Sequence, residues 1–226
     1  MNEVPIVILC HNNEYYVNNT IIQLEKYHDN LIILDNCSDD SETLNYLYNI
    51  SLKYKVIKTD VHREPFKARN YVFDQLPEYF CFTDPDLEYN KNLPYDFIKK
   101  LIEISNKHNV HKVGFSLKIS DFNEMYQDKY FLDKNIFDWE VKWWRNKIKD
   151  ELYDLYDAEI DTTFALYNKN IQAINNNSLR IGGNFICKHL PWYPANNQKI
   201  NKHILNKMYK KSTWSTIANS ILKTHI

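Results

Sequence analysis

Glycine is scarce in this 226-residue chain, occurring only as Gly114, Gly182 and Gly183. A phosphate cradle built from several glycines, whether G-x-G-x-x-G or a P-loop, is therefore excluded, and any bound phosphate has to be neutralised by other means. No stretch of about 18 apolar residues occurs, so no membrane-spanning helix is expected. From Met1 the chain runs straight into the apolar segment Val4 to Cys10 without a basic stretch or a small-residue cleavage site, which leads us to expect a cytoplasmic protein. Cys10, Cys37, Cys81 and Cys187 are scattered and form no C-x-x-C pair, which leaves zinc sites and disulfide frameworks without support. Acidic residues are missing after Asp161, where nine Lys and Arg remain. Residues 162–226 thus carry a formal +9 and residues 1–161 a formal −10, although the whole chain stands at −1.

What is present reads as one globular α/β domain. Apolar residues make up 44% and charged residues 25%, unlike a disordered chain, and the length suffices to bury a substantial core. Pro5 to Cys10, Leu31 to Asp35, Lys55 to Lys58 and Tyr79 to Thr83 are short apolar or β-branched runs that suit buried parallel strands. Helical patterns follow the first three. Val17, Ile21, Leu24 and His28 share one face, Leu44, Leu47 and Ser51 another, and Phe66, Tyr71, Phe73 and Leu76 a third. Ser38 or Asp39 is expected to cap the second helix. Alternating strand and helix implies a mostly parallel sheet flanked by helices, with ligands at the strands' carboxyl ends. Further on, a helix is expected from Pro94 to His108, and strands at Lys112 to Leu117, Thr162 to Tyr167 and Phe185 to Leu190. The aromatic-rich region from Ser120 to Asp150 suggests a loop and a helix. Amphipathic helices are expected over Asn201 to Tyr209 and Trp214 to Leu222, where basic residues would permit peripheral membrane contact.

The segment Tyr79-Phe-Cys-Phe-Thr-Asp-Pro-Asp-Leu-Glu88 carries the strongest chemical signal. A hydrophobic strand ends there in two carboxylates, Asp84 and Asp86, separated by Pro85. Hard oxygen ligands at a strand's ligand-facing end suit Mn2+ or Mg2+, which can offset the charge of a diphosphate in place of the missing glycine loop.

Four segments in order resemble the donor half of GT-A glycosyltransferases, most of all small members of family 2. They are Ile6 to Asn12, the turn Leu34-Asp-Asn-Cys-Ser-Asp39, the helix segment Lys67-Ala-Arg-Asn70, and Asp84-Pro-Asp86. The resemblance implies a GT-A fold, with residues 1–118 as the donor nucleotide half, 119–195 as the acceptor half and 196–226 as basic C-terminal helices. It places Cys10, Asn12, Asp35, Asn36, Arg69, Asp84 and Pro85 against the nucleotide, and Asp84, Asp86 and His189 around the metal. Asp35 would contact the base and Arg69 would help place the nucleotide. The expected partners are a nucleotide-sugar donor, UDP-linked by preference, and a glycan, lipid-linked or protein hydroxyl acceptor, with no nucleic acid; a homodimer is allowed.

In the second half, Asp157-Ala-Glu-Ile-Asp161 precedes a strand, which makes Asp161 the first candidate for the base of an inverting transfer and Glu159 the second. Trp139, Trp192 and Tyr193 are candidates for stacking on the acceptor, against a plain packing role. The family's Q-x-x-R-W motif is absent, which argues against processive synthesis. Two other readings compete: a nucleotidyltransferase, which lacks its usual glycine-rich opening loop here, and a nonenzymatic nucleotide-sugar-binding protein that kept the fold alone.

Overall fold

The computed structural model describes residues 4–127, 130–131, 134–161, 163–174 and 177–200. Its first half alternates strictly: β1 (Ile6–Cys10), α1 (Glu14–Leu24), β2 (Leu31–Asp35), α2 (Ser41–Ile50), β3 (Lys55–Lys58), α3 (Pro65–Phe73) and β4 (Tyr79–Thr83). There follow β5 (Leu87–Tyr89), α4 (Phe97–His108), β6 (Lys112–Phe115), the small pair β7 (Tyr130–Phe131) and β8 (Lys134–Asn135), and the short helix α5 (Ile136–Glu140). The chain continues through β9 (Lys147–Ile148), β10 (Leu155–Asp157), β11 (Ala165–Asn168), β12 (Ser178–Ile181), β13 (Cys187–His189) and α6 (Pro194–Asn197).

Among the described residues nine strands form one sheet in the order β3-β2-β1-β4-β11-β6-β12-β10-β9. β1 to β4 are mutually parallel, as expected from their connecting helices, while β11 inserts antiparallel between β4 and β6. The sheet buries both faces, and alternation sorts its side chains. Ile6, Ile8, Leu31, Ile33 and Cys81 belong to one apolar cluster, and Val7, Leu9, Ile32, Leu34, Phe80 and Phe82 to the other.

Local expectations hold where packing agrees with pattern. Val17, Ile21, Leu24 and His28 are all buried. α2 is capped one residue later than the turn suggested, by Asp40, whose carboxylate accepts from Thr43 N at 2.8 Å. The face assigned to α3 is half right: Leu76 is buried and Phe73 packs against the core, but Phe66 and Tyr71 are exposed, and within the helix the buried residues are Ala68 and Val72. Small and branched residues let the helix lie close to the sheet, and Tyr71 packs outward against the Arg63 guanidinium at 4.7 Å. β10 and β12 had no strand signal strong enough to read from the sequence, and the two helices expected beyond residue 200 lie outside the described residues. No helix among the described residues is long and apolar enough to cross a membrane.

One glycine decides how β6 and the chain entering β11 meet. A Cβ at Gly114 would stand 2.7 Å from the Phe164 carbonyl oxygen and 2.9 Å from Ile160 Cδ1. Its absence allows the segment leading into β11 to press against β6.

Candidate active site

Strand register brings distant carboxylates to one edge. β4 ends at Thr83, immediately before Asp84, and Ala165 of β11 pairs with Phe82. The chain entering β11 from Asp161 and Thr163 therefore arrives beside the Asp-Pro-Asp turn. On the other side β13 pairs antiparallel with β5, placing His189 opposite Leu87, and Leu190 N donates to the Asp86 carbonyl at 2.9 Å. The turn is tied down further by the Thr20 hydroxyl, which donates to the Pro85 carbonyl.

These elements enclose a cavity of about 450 Å³ whose lining includes Arg69, Asp84, Trp139, Glu140, Trp143, Glu159, Asp161, Arg180, His189 and Trp192. The Arg69 guanidinium is steered toward it by Tyr167, whose hydroxyl accepts from Nη1 at 3.0 Å, and by the Asn70 side chain at 2.7 Å. Glu159 and Asp161 are exposed and both line the cavity. Their backbone is pinned by two cations. Lys112 Nζ donates to the carbonyls of Ile160 and Asp161 at 2.5 and 3.0 Å, and Arg180 Nε donates to the Glu159 carbonyl at 2.7 Å. Arg180 also forms a buried ion pair with Glu140. Burial pushes the Glu140 carboxyl above its ordinary range, against the pull of Arg180.

Asp86 Oδ2 lies 3.4 Å from His189 Nε2, and Asp86 Oδ1 is buried without a hydrogen-bond partner among the described residues. A buried carboxylate oxygen left in that condition is costly unless a cation or water meets it. No group of three or more His, Cys, Asp or Glu side chains able to hold a metal occurs among the described residues. Mg2+ at diphosphate sites commonly uses only one or two carboxylates, with phosphate oxygens and water completing the shell. The donor set at Asp86 thus fits a divalent ion held jointly with a diphosphate. Trp192 packs edge-on against the His189 ring at 4.7 Å.

Four residues expected at the nucleotide are buried and hydrogen-bonded or packed within the turn. Asp35 is buried, and its Oδ1 accepts from Ser38 N at 2.9 Å. Asn12 is equally occupied: its Oδ1 accepts from the backbone N of Asp39 and Asp40, and its Nδ2 donates to Asp39 at 2.6 Å. Asn36 spends its amide on the backbone N and carbonyl of Arg63, at 3.0 and 2.6 Å. Cys10 is fully buried, which pushes its thiol up to about 12. These four side chains build the turn, and none lines the cavity. Tyr193 is also placed elsewhere, buried with its hydroxyl donating to Asp121 at 3.0 Å. Conversely, nothing in the sequence pattern singled out Lys112, Glu140, Trp143 or Tyr167 as cavity residues. The i, i+3 spacing of Trp139 and Lys142 is a signal that could have shown the segment Trp139-Glu-Val-Lys-Trp-Trp144 turning aromatic and charged groups to one side.

A mixed α/β sheet with this strand order, flanked by helices and carrying a cavity at the edge where β4 ends, is consistent with the GT-A fold. Residues 6–178 match the model of Glycosyl transferase family 2. The chain belongs to that family. Among solved structures it is similar to HddC from Yersinia pseudotuberculosis, at 12% identity and a TM-score of 0.53 over 87% of this chain and 97% of the other, a likeness of fold alone. Comparison with curated protein sequences finds no match. The family establishes a nucleotide-sugar donor and an acceptor as the substrates in general terms.

Proposed function

We propose that the protein transfers a sugar from a nucleoside-diphosphate donor, UDP-linked by preference, to an acceptor hydroxyl with inversion, in a reaction dependent on a divalent ion. The observation that supports this reading most is the meeting of Asp84, Asp161 and Arg69 around one cavity with the Asp86–His189 pair at its edge. Asp86, paired with His189, would hold Mn2+ or Mg2+ jointly with the diphosphate oxygens, and the bound ion would offset the negative charge of the departing diphosphate. Arg69 supplies a fixed positive charge on the same side. Asp161 accepts the proton of the attacking hydroxyl as general base, with Glu159 as the alternative, since the two lie on one face of one segment. Lys112 and Arg180 hold that segment's carbonyls and so set where the carboxylate stands.

A donor panel tests the proposal. UDP-, GDP- and dTDP-sugars are screened by thermal shift with and without Mn2+, followed by assay of donor hydrolysis and transfer. We expect metal-dependent stabilisation by a UDP-sugar that disappears in Asp86→Ala while that variant stays folded. Donor binding indifferent to metal, or unchanged in Asp86→Ala, would remove the metal role.

A further inference from the structure

One wall of the cavity carries an arrangement that donor chemistry does not require. Trp139 and Trp143 line it, and Lys142 sits between them, its Nζ 3.5 Å from one indole centroid and 4.2 Å from the other. The Arg180 guanidinium lies 5.2 Å from the Trp143 ring, so indoles and cations alternate. The pattern follows from local geometry, because Trp139 lies in the last turn of α5 and Lys142 follows three residues later in the 3-10 turn that continues it, which brings the two side chains to one side.

A lysine normally carries its ammonium out to water along an apolar stem. Lys142 instead stays half-buried over two rings, and among the described residues it has no carboxylate at ion-pairing distance. Glu140, its neighbour on the chain, is committed to Arg180. Burial, with Lys134 nearby, lowers the Lys142 pKa against the pull of Glu140 and Glu159, the mark of a charge taken partly out of water. Cation–π contact offsets only part of that cost. Indole faces beside a partly desolvated cation that has no ion-pair partner among the described residues suit a sugar ring that bears an acid.

We infer that this wall is the acceptor platform and that it selects an anionic carbohydrate, the sugar ring lying on an indole and its acidic group meeting Lys142. The inference rests on the glycosyltransferase reading and deepens it by naming the acceptor class. The acid can be a carboxylate or a phosphate.

Binding without donor keeps the two readings separable. Methyl β-D-glucoside, methyl β-D-glucuronide and methyl β-D-glucoside 6-phosphate are titrated against the full chain by saturation-transfer NMR. One or both acids are expected to bind about tenfold tighter than the neutral glycoside, as a single charge-assisted bond allows, and which acid does so identifies the source of the charge. Lys142→Met abolishes the difference while leaving the neutral glycoside unaffected, and Lys142→Arg restores it, which separates lost charge from lost fold. Trp139→Ala weakens all three. Equal affinities in the native chain, or binding of none of the three, overturn the inference. So does a Lys142→Met variant that loses UDP-sugar stabilisation and keeps its acid preference, because Lys142 would then serve the diphosphate. Donor stabilisation in the thermal-shift panel judges the transferase reading independently of these outcomes.

Discussion

Two acidic turns at the carboxyl edge of the same sheet are built from nearly the same residue types, yet they do opposite things. After β2, Asp35 and Asn36 turn inward, and with Asn12 they spend their side chains on the backbone N–H and carbonyl groups of a tight turn in which Asn12 and Cys37 adopt left-handed φ values of 51° and 61°. After β4, Asp84 and Asp86 retain part of their exposure at the edge of the cavity, and one oxygen of Asp86 has no hydrogen-bond partner among the described residues. The difference teaches that a carboxylate at a strand end is available for chemistry only when the local backbone has no use for it. The first turn has several N–H groups to satisfy and consumes its acids. The second is closed by Pro85, which has no N–H, and by the hydroxyl of Thr20 and the backbone of β13, so an oxygen of Asp86 is left over.

The contrast can be broken by substitution, and the largest effect is expected on catalysis. Asp161→Asn should lower transfer by about 10²- to 10⁴-fold, the usual worth of a general base, with donor stabilisation retained. Because Asp161 is exposed, its urea midpoint should correspond to a change within about 0.5 kcal/mol. Full activity in that variant would pass the role of base to Glu159.

The next effect is on stability. Glu140→Gln leaves the buried Arg180 without its counter-ion, and removing one partner of a buried pair costs about 3–5 kcal/mol. Chemical denaturation should register this as a large fall in midpoint, and replacing both partners by apolar residues of similar volume should recover much of it. A Glu140→Gln protein as stable as the parent would show that the pair is not what fixes the segment holding Glu159.

The smallest effect sharpens the comparison itself. Asp35→Ala orphans the Ser38 N–H and should cost about 1–3 kcal/mol, whereas Asp35→Asn keeps an acceptor oxygen and should lose much less. If Asp35 instead acts by direct contact with the nucleotide, donor affinity in Asp35→Asn will fall without any change in the unfolding midpoint.

The sheet was legible in the sequence because each of the first four strands is a compact apolar run bounded by polar turns. β2, β3 and β4 coincide with the segments read from composition and alternation. β10 and β12 escaped notice because Leu155-Tyr-Asp157 is short and ends in an exposed acid, and Ser178-Leu-Arg-Ile181 carries polar residues that only buried pairing explains, Arg180 being satisfied by Glu140 at 40 residues' distance. The exposed aromatics of α3 misled for the converse reason. Phe66 and Tyr71 look like core residues, but a helix laid closely on a sheet needs Ala68 and Val72 at the contact.

By itself the sequence determined the family, the order of strands and helices through β4, and the presence of an Asp-Pro-Asp turn at a strand end, since these depend on local pattern and chain order. Only the tertiary structure decided which acids face the cavity. That choice rests on strand register across β4 and β11, on the close approach that Gly114 permits, and on long-range hydrogen bonds that claim Asp35, Asn12 and Asn36 for the backbone. Availability of a polar side chain is a property of what surrounds it in space, and residues far apart in the chain supply those surroundings.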